Sequence, residues 1–323
     1  MQKFVIIAFF ISCIGITLVA DNLNYLNQAL GTLDSGQKVG KVSQEFLGAT
    51  FFSVDKKNQS MEVNSSKVVI QNSDGRVLLA KPFGQISSSG ELLHYEGETG
   101  EVFPSREEIR LFGDVKLKKT DLFMTGQKMT IYQKRQRAEL LDDVNTKTKT
   151  NEGDLIRLQS ESASFDGNKG MVSYSGKVKG NINFSDKEFS PPLFFQSKVL
   201  DYFLRAGRMD LSENVKIRRE DVKIKSQRGS VFLNRKNKKV NYFELNDDVR
   251  FSETFVASNG EKILRTGLSQ KLEGFGFERK LVFSGFPKIK QLDDLIQGNT
   301  IVIREADELV EIINTNSKFK FKE

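Results

Sequence analysis

Six short segments govern what this chain can fold into. Gly113-Asp114-Val115, Asp142-Asp143-Val144, Gly176-Lys177-Val178, Glu213-Asn214-Val215 and Asp247-Asp248-Val249 each place two turn-favouring or charged residues before a Val, and a related Gly285-Phe286-Pro287 opens the last unit. Their first residues are spaced 29, 34, 37, 34 and 38 apart. A period of this length marks supersecondary units that stack and complete one another's core. Parallel β-helix coils run shorter and more regular, at roughly 20 to 25 residues. Two or three antiparallel strands per unit fit better.

The stretch Leu211 to Leu233 shows how one unit is built. Val215-Lys216-Ile217-Arg218 alternates apolar and basic, and Val222-Lys223-Ile224-Lys225 repeats this after a charged turn. Alternation at period two puts Val215, Ile217, Val222 and Ile224 on one face of a sheet and the cations on the other. Ser230-Val231-Phe232-Leu233 is expected as a third strand, with a turn at Asn234 to Lys238 and a return through Val240-Asn241-Tyr242-Phe243. Turns are equally explicit at Asn72-Ser73-Asp74-Gly75, Gly97-Glu98-Thr99-Gly100 and Asp166-Gly167-Asn168-Lys169-Gly170. Several units also end a polar strand on an aromatic, as at Ile131-Tyr132, Ser164-Phe165 and Asp201-Tyr202. The expected fold class is all-β.

Residue content narrows the chemistry. The 323 residues include 26 Phe, no Trp and 5 Pro, which suits sheet cores. One Cys, Cys13, rules out an intrachain disulfide framework, and one His, His94, removes His-based triads and His-rich zinc sites. His94 is expected to be an ordinary strand or turn residue. Asp142-Asp143, Asp247-Asp248 and Asp293-Asp294 are acidic pairs, but the first two fall at equivalent repeat positions, where Asp serves backbone geometry. No catalytic residue, metal ligand or cofactor is assigned. The formal charge of +7 biases encounters towards anions such as nucleic acid, phosphorylated lipid or an anionic membrane surface. Between Lys216 and Lys239 ten basic residues stand against two acidic ones, Glu220 and Asp221; a solvated outer face is the plain reading.

Residues 4–20 carry no charge, with Lys3 before them and Asp21 after. They read as a signal peptide or a signal-anchor, with the remainder exported. Leu18 makes a poor cleavage site after Ala20, and Lys3 on the cytoplasmic side agrees with the positive-inside tendency. Residues 21–45, rich in Asn, Gln, Gly and Ser, read as a spacer.

Phe112-Gly113-Asp114-Val115-Lys116-Leu117 continuing to Asp121-Leu122-Phe123-Met124-Thr125-Gly126 and Met129-Thr130-Ile131-Tyr132 resembles the OstA-like repeat of the lipopolysaccharide-transport proteins LptA and LptC. So does Gly285-Phe286-Pro287-Lys288-Ile289-Lys290-Gln291 with Asp293 to Ile301. One N-terminal membrane segment, a spacer and entry into strands over Ala49 to Ile70 is an order similar to LptC. The resemblance spans roughly residues 46–323, longer than a single member of either type. It implies an open antiparallel β-jelly roll, either one extended or two consecutive. In the second case an LptC-like roll over 46–184 and an LptA-like roll over 193–323 meet at the linker Ser185-Asp186-Lys187-Glu188 and Ser190-Pro191-Pro192.

That resemblance implies a function without enzymatic chemistry. An apolar trough between two sheets would hold acyl chains of lipopolysaccharide, each buried methylene worth about 0.8 kcal/mol. Val115, Leu117, Val178, Val215, Ile217, Val222, Ile224, Val231, Leu233, Val249, Phe251, Ile289 and Ile301 are the expected trough residues. Implied partners are an inner-membrane lipopolysaccharide ABC transporter, the inner membrane through residues 4–20, and other jelly-roll proteins of the pathway joined end to end by strand addition. Phe319 and Phe321, alternating with Lys318, Lys320 and Lys322, are the expected edge strand. Nucleic acid is not among the implied partners. The chain has no GxxxxGK[ST], so a partner must supply the energy. The implied location is the periplasm of a Gram-negative bacterium, at the inner membrane. Without the resemblance, the same apolar faces read as a filled core in a structural or adhesive exported repeat protein. An exported carbohydrate-active enzyme lacks a convincing set of carboxylates.

Overall fold

The computed structural model describes residues 43–54, 60–71, 76–88, 91–149, 153–185, 192–233, 240–256, 260–275, 280–304 and 310–313. Residues 4–20, the turns expected at 72–75 and 234–238, and Phe319 and Phe321 lie outside them. The strands are β1 (Ser43–Val54), β2 (Ser60–Gln71), β3 (Arg76–Ala80), β4 (Phe83–Ser88), β5 (Glu91–Glu96), β6 (Thr99–Phe103), β7 (Glu108–Lys119), β8 (Leu122–Tyr132), β9 (Arg137–Lys149), β10 (Leu155–Asp166) and β11 (Met171–Asn183). They continue as β12 (Leu193–Phe203), β13 (Arg208–Arg219), β14 (Val222–Leu233), β15 (Val240–Val256), β16 (Lys262–Phe275), β17 (Lys280–Ser284), β18 (Lys288–Gln291), β19 (Asp294–Gln297), β20 (Thr300–Arg304) and β21 (Val310–Ile313). The fold is all-β and antiparallel, as the alternation anticipated, and of the jelly-roll kind that the resemblance implied.

Two compact units divide the chain. The first takes the described residues up to Lys119 together with Lys128–Gln136, and the second takes Thr120–Gln127 and the chain from Arg137 onward. In the first unit the long β2 pairs with β4 through Ser60–Asn64 and with β3 through Lys67–Gln71. Likewise β7 pairs with β6 through Glu108–Phe112 and with β5 through Lys116–Lys118. Single long strands therefore bridge pairs of short ones.

In the second unit β9 to β16 form a meander in which consecutive strands pair along their length. The pairing of β11 with β12 runs Ile182↔Leu193 to Met171↔Phe203, on both sides of residues 184–193. β16 then splits its partners: Lys271–Phe275 bond to β17 and Arg265–Leu268 to β18.

The repeated dipeptides are not turns before strands, as their composition suggested. They sit in the middle of β7, β9, β11, β13 and β15, and between β17 and β18. Both residues of Gly113-Asp114, Asp142-Asp143, Gly176-Lys177, Glu213-Asn214, Asp247-Asp248 and Gly285-Phe286 have φ between 40° and 75°. Gly, Asp and Asn tolerate that region best, which is why the same residues also signal turns. In the second unit each pair from Asp142-Asp143 to Asp247-Asp248 is a β-bulge, one extra residue against the neighbouring strands, and the register shifts there. The shifts line up from strand to strand and form a crease.

A change of side-chain parity follows on the strands between. On β14 the buried residues run Ile224, Ser226, then Gly229, Val231, Leu233. β10, β12 and β16 make the same three-residue step at Ser160/Ala163, Ser197/Leu200 and Ser269/Leu272. Val222–Lys225 and Ser230–Leu233, expected as two strands, are thus one strand whose inward face changes parity at the crease. Half I of the second unit comprises the segments on the Arg137–Leu141 side, with β17 and β20. Half II comprises those on the Val144–Lys149 side, with β18 and β19. The two inner faces pack together: Phe251 of half II meets Phe283 of half I with ring centroids 5.2 Å apart, edge to face.

Candidate functional site

Period-two alternation dictates one apolar face per strand, and in the second unit those faces form the interior. Val178, Val215, Ile217, Ile224, Val249, Phe251 and Ile289 face inward on half II, and Val231, Leu233 and Ile301 on half I. Val115 and Leu117 are buried in the first unit, on β7. Val222 departs from expectation: it is half-buried, because it ends the β13–β14 hairpin opposite Arg219. Arg219 therefore shares the inward parity, with its guanidinium over the Phe184 ring at 5.8 Å.

This interior is filled. Ile217 and Ile224 are 6% and 3% exposed, and Val178 and Ile289 are at 0%. Leu140, Ile156, Leu158, Tyr174, Phe195 and Phe283 complete it, none of them marked by the Val-led repeat. Phe195 lies across Gly180, and Phe243 across Gly274, where any Cβ would collide with the ring. A pairing map would have located these residues; linear spacing alone did not.

Polar atoms interrupt the interior near the crease. Ser160 Oγ donates to the carbonyl of Ser162 at 2.9 Å and Ser226 Oγ to that of Arg228 at 3.0 Å, satisfying carbonyls at the bulge line. Ser197 Oγ and Ser269 Oγ are buried without a hydrogen-bond partner among the described residues, while the buried hydroxyls of Thr146 and Tyr174 have only each other. Burial pushes the Tyr174 phenol well above its ordinary pKa. Burial also raises Tyr202 to about 12, with Asp121 adding repulsion.

One ion pair lies inside half II. Arg265 is 3% exposed, with Nη1 3.2 Å from Glu253 Oε2, Nε donating to Gln291 Oε1 at 2.9 Å, and its guanidinium over the Phe255 ring at 4.4 Å. Nothing in the sequence marks Arg265 apart from other cations.

The acidic pairs do not converge. Asp142-Asp143 and Asp247-Asp248 occupy bulges, and Asp293 and Asp294 border the β18–β19 turn. Among the described residues no group of His, Cys, Asp and Glu is placed to hold a metal ion. His94 is exposed on β5, opposite Gln85. No helix among the described residues is long and apolar enough to cross a membrane.

No family model matches this chain, and no curated protein matches it. Among solved structures it is similar to LptH of Pseudomonas aeruginosa, described as the LptA-homologous periplasmic component of the lipopolysaccharide transport device. The likeness is 12% sequence identity at a TM-score of 0.33, over 52% of this chain and 95% of that one. A match this slight carries no weight for function.

Proposed function

We propose that the chain is a non-enzymatic carrier of lipopolysaccharide in the periplasm, holding acyl chains between halves I and II and passing them from an inner-membrane ABC transporter towards the outer membrane. The observation that carries this reading is the pair of aliphatic inner faces joined along one crease. A line of aligned bulges is where a sheet bends, so the halves can part there without breaking their pairing. Each methylene admitted contributes about 0.8 kcal/mol, enough for part of one chain to offset exposure of the interior on opening. Orphaned hydroxyls at Ser197 and Ser269 gain partners when a polar headgroup or water reaches the crease. The division into an LptC-like part and an LptA-like part near 184–193, anchoring through residues 4–20 and end-to-end joining through Phe319 and Phe321 belong to the same proposal.

The tight burial of Ile217 and Ile224 favours a second reading, an exported structural repeat protein with a permanently filled core. Photocrosslinking in cells separates the two. A photoreactive residue at Ile217 or Ile224 should yield lipopolysaccharide adducts, and one at the outward Ser173 of half I should not. Efficient incorporation with no adduct at either Ile sinks the carrier reading.

A further inference from the structure

The outer face of half II is cationic in a way that strand pairing alone reveals. Lys216 stands opposite Lys225, and Arg218 opposite Lys223, across β13 and β14. Lys225 then stands opposite Arg250 of β15. Opposed Cβ atoms on neighbouring strands are about 5 Å apart, and like charges so placed destabilise a sheet. Lys216, Arg218, Lys223 and Lys225 make no ion pair with any described residue, while Arg250 reaches Asp248 at 3.0 Å. A solvated face does not require like charges to be stacked this way.

Two further observations indicate what would cover it. Lys216, Lys225 and Arg250 line a surface cavity of about 120 Å³ together with Asn214, Gln227 and Asp248. Lys216 and Lys225 with the two amides there can meet a phosphate, while Asp248 holds Arg250. The cations are also flanked by exposed apolar side chains, Phe194 beside Arg218 on β12 and Leu268 beside Arg250 on β16. An acidic protein or a nucleic acid accounts for the charge but not for the exposed aliphatic and aromatic flanks. A bilayer of anionic phospholipid accounts for both, because phosphates meet the cations while Leu and Phe enter the headgroup boundary.

We infer that the outer face of half II, built on Lys216, Arg218, Lys223, Lys225 and Arg250 and flanked by Phe194 and Leu268, docks on an anionic phospholipid surface. This docking is independent of what the interior carries. The chain contains no Trp, so F194W places one reporter on this face and F232W one on the outer face of half I.

Full-length F194W and F232W would be mixed with vesicles containing brominated lipid, either phosphatidylglycerol with phosphatidylcholine or phosphatidylcholine alone. F194W should be quenched by the anionic vesicles at least about tenfold more effectively than by the neutral ones. The difference should vanish near 1 M salt, where the Debye length is about 3 Å. F232W should show no such preference. Adding K216E, K223E and K225E to F194W should abolish it, and K216Q with K225Q should weaken it if the triple reversal does not fold. Equal quenching of both reporters, or by both lipids, overturns the inference, since insertion through residues 4–20 produces that pattern. Binding to duplex DNA or polyglutamate without vesicle binding also overturns it.

Discussion

The two halves of the second unit share every strand from β9 to β16, yet they treat surface charge in opposite ways. Half I neutralises its outer face. Arg208 meets Asp210 at 2.9 Å, Arg137 meets Glu139 at 2.8 Å, and Lys271 lies 3.5 Å from Glu244 and 3.1 Å from Glu273. It too sets acids opposite one another, Asp201 with Asp210 and Glu244 with Glu273, but supplies a cation or hydroxyl to each pair. Half II leaves Lys216 facing Lys225 with nothing between. Along the crease the charges are paired again, Lys198 with Glu213 at 2.7 Å and Arg228 with Asp247 at 2.6 Å. The Arg228 guanidinium holds the Asp247 carboxyl below its usual range. One set of strands can thus carry two surfaces of different purpose, because the bulge lets each half be chosen separately.

The contrast can be tested by substitution, beginning with the largest expected effect. Arg265→Ala strands Glu253 inside half II and should cost about 3–5 kcal/mol in denaturant unfolding. Arg218→Ala, on the outer face of the same half, should stay within about 0.5 kcal/mol. If the two cost the same, the division between inner and outer cations fails.

Alkali should act on the interior phenols next. A Tyr of ordinary pKa 10 that is held at about 12 when folded, as Tyr202 is, keeps its proton longer in the native state than in the unfolded one. Its stabilising effect is whole below pH 10 and is lost as pH rises from 10 to 12, by about 2–3 kcal/mol. Tyr202→Phe should remove its own share of that slope and leave the share of Tyr174, measured as unfolding free energy against pH.

At the crease, Asp143→Val puts a β-branched residue at a φ of 53° and should destabilise by about 1–2 kcal/mol. Asp143→Gly should be neutral or slightly favourable. Equal tolerance of Val and Gly would mean that the bulge does not hold in solution.

Smallest of all, Lys225→Glu should stabilise half II by about 0.2–1 kcal/mol for each like-charged neighbour relieved, and the gain should fade with salt. Lys271→Glu in half I should have the opposite sign, since it leaves Glu244 and Glu273 without their cation. A thermal melt at low and high ionic strength distinguishes the two.

Much of this fold was legible in the chain. Val215, Ile217 and Ile224 declared the inward face by alternation, and Val231 and Leu233 did so for the other half. The role of the repeated dipeptides was not legible. Asn214 tolerates positive φ whether the pair closes a hairpin or kinks a strand, and only the register Ser212↔Arg228 followed by Val215↔Ser226 tells the two apart. Arg265 was equally hidden, because its burial depends on Glu253 and Gln291 from two other strands. The opposed cations of β13 and β14 were visible as a basic stretch. That they face one another is a property of pairing, which composition does not encode.

The meander of β9 to β16 has a mechanical consequence. Consecutive strands hold one another along 11 to 17 residues and no distant segment is threaded between them. Such a chain can nucleate at any hairpin and grow by adding the next, like a linear array. Pulled from its C-terminal end, the meander should release strands from β16 back towards β9, in a series of small force peaks instead of one large rupture.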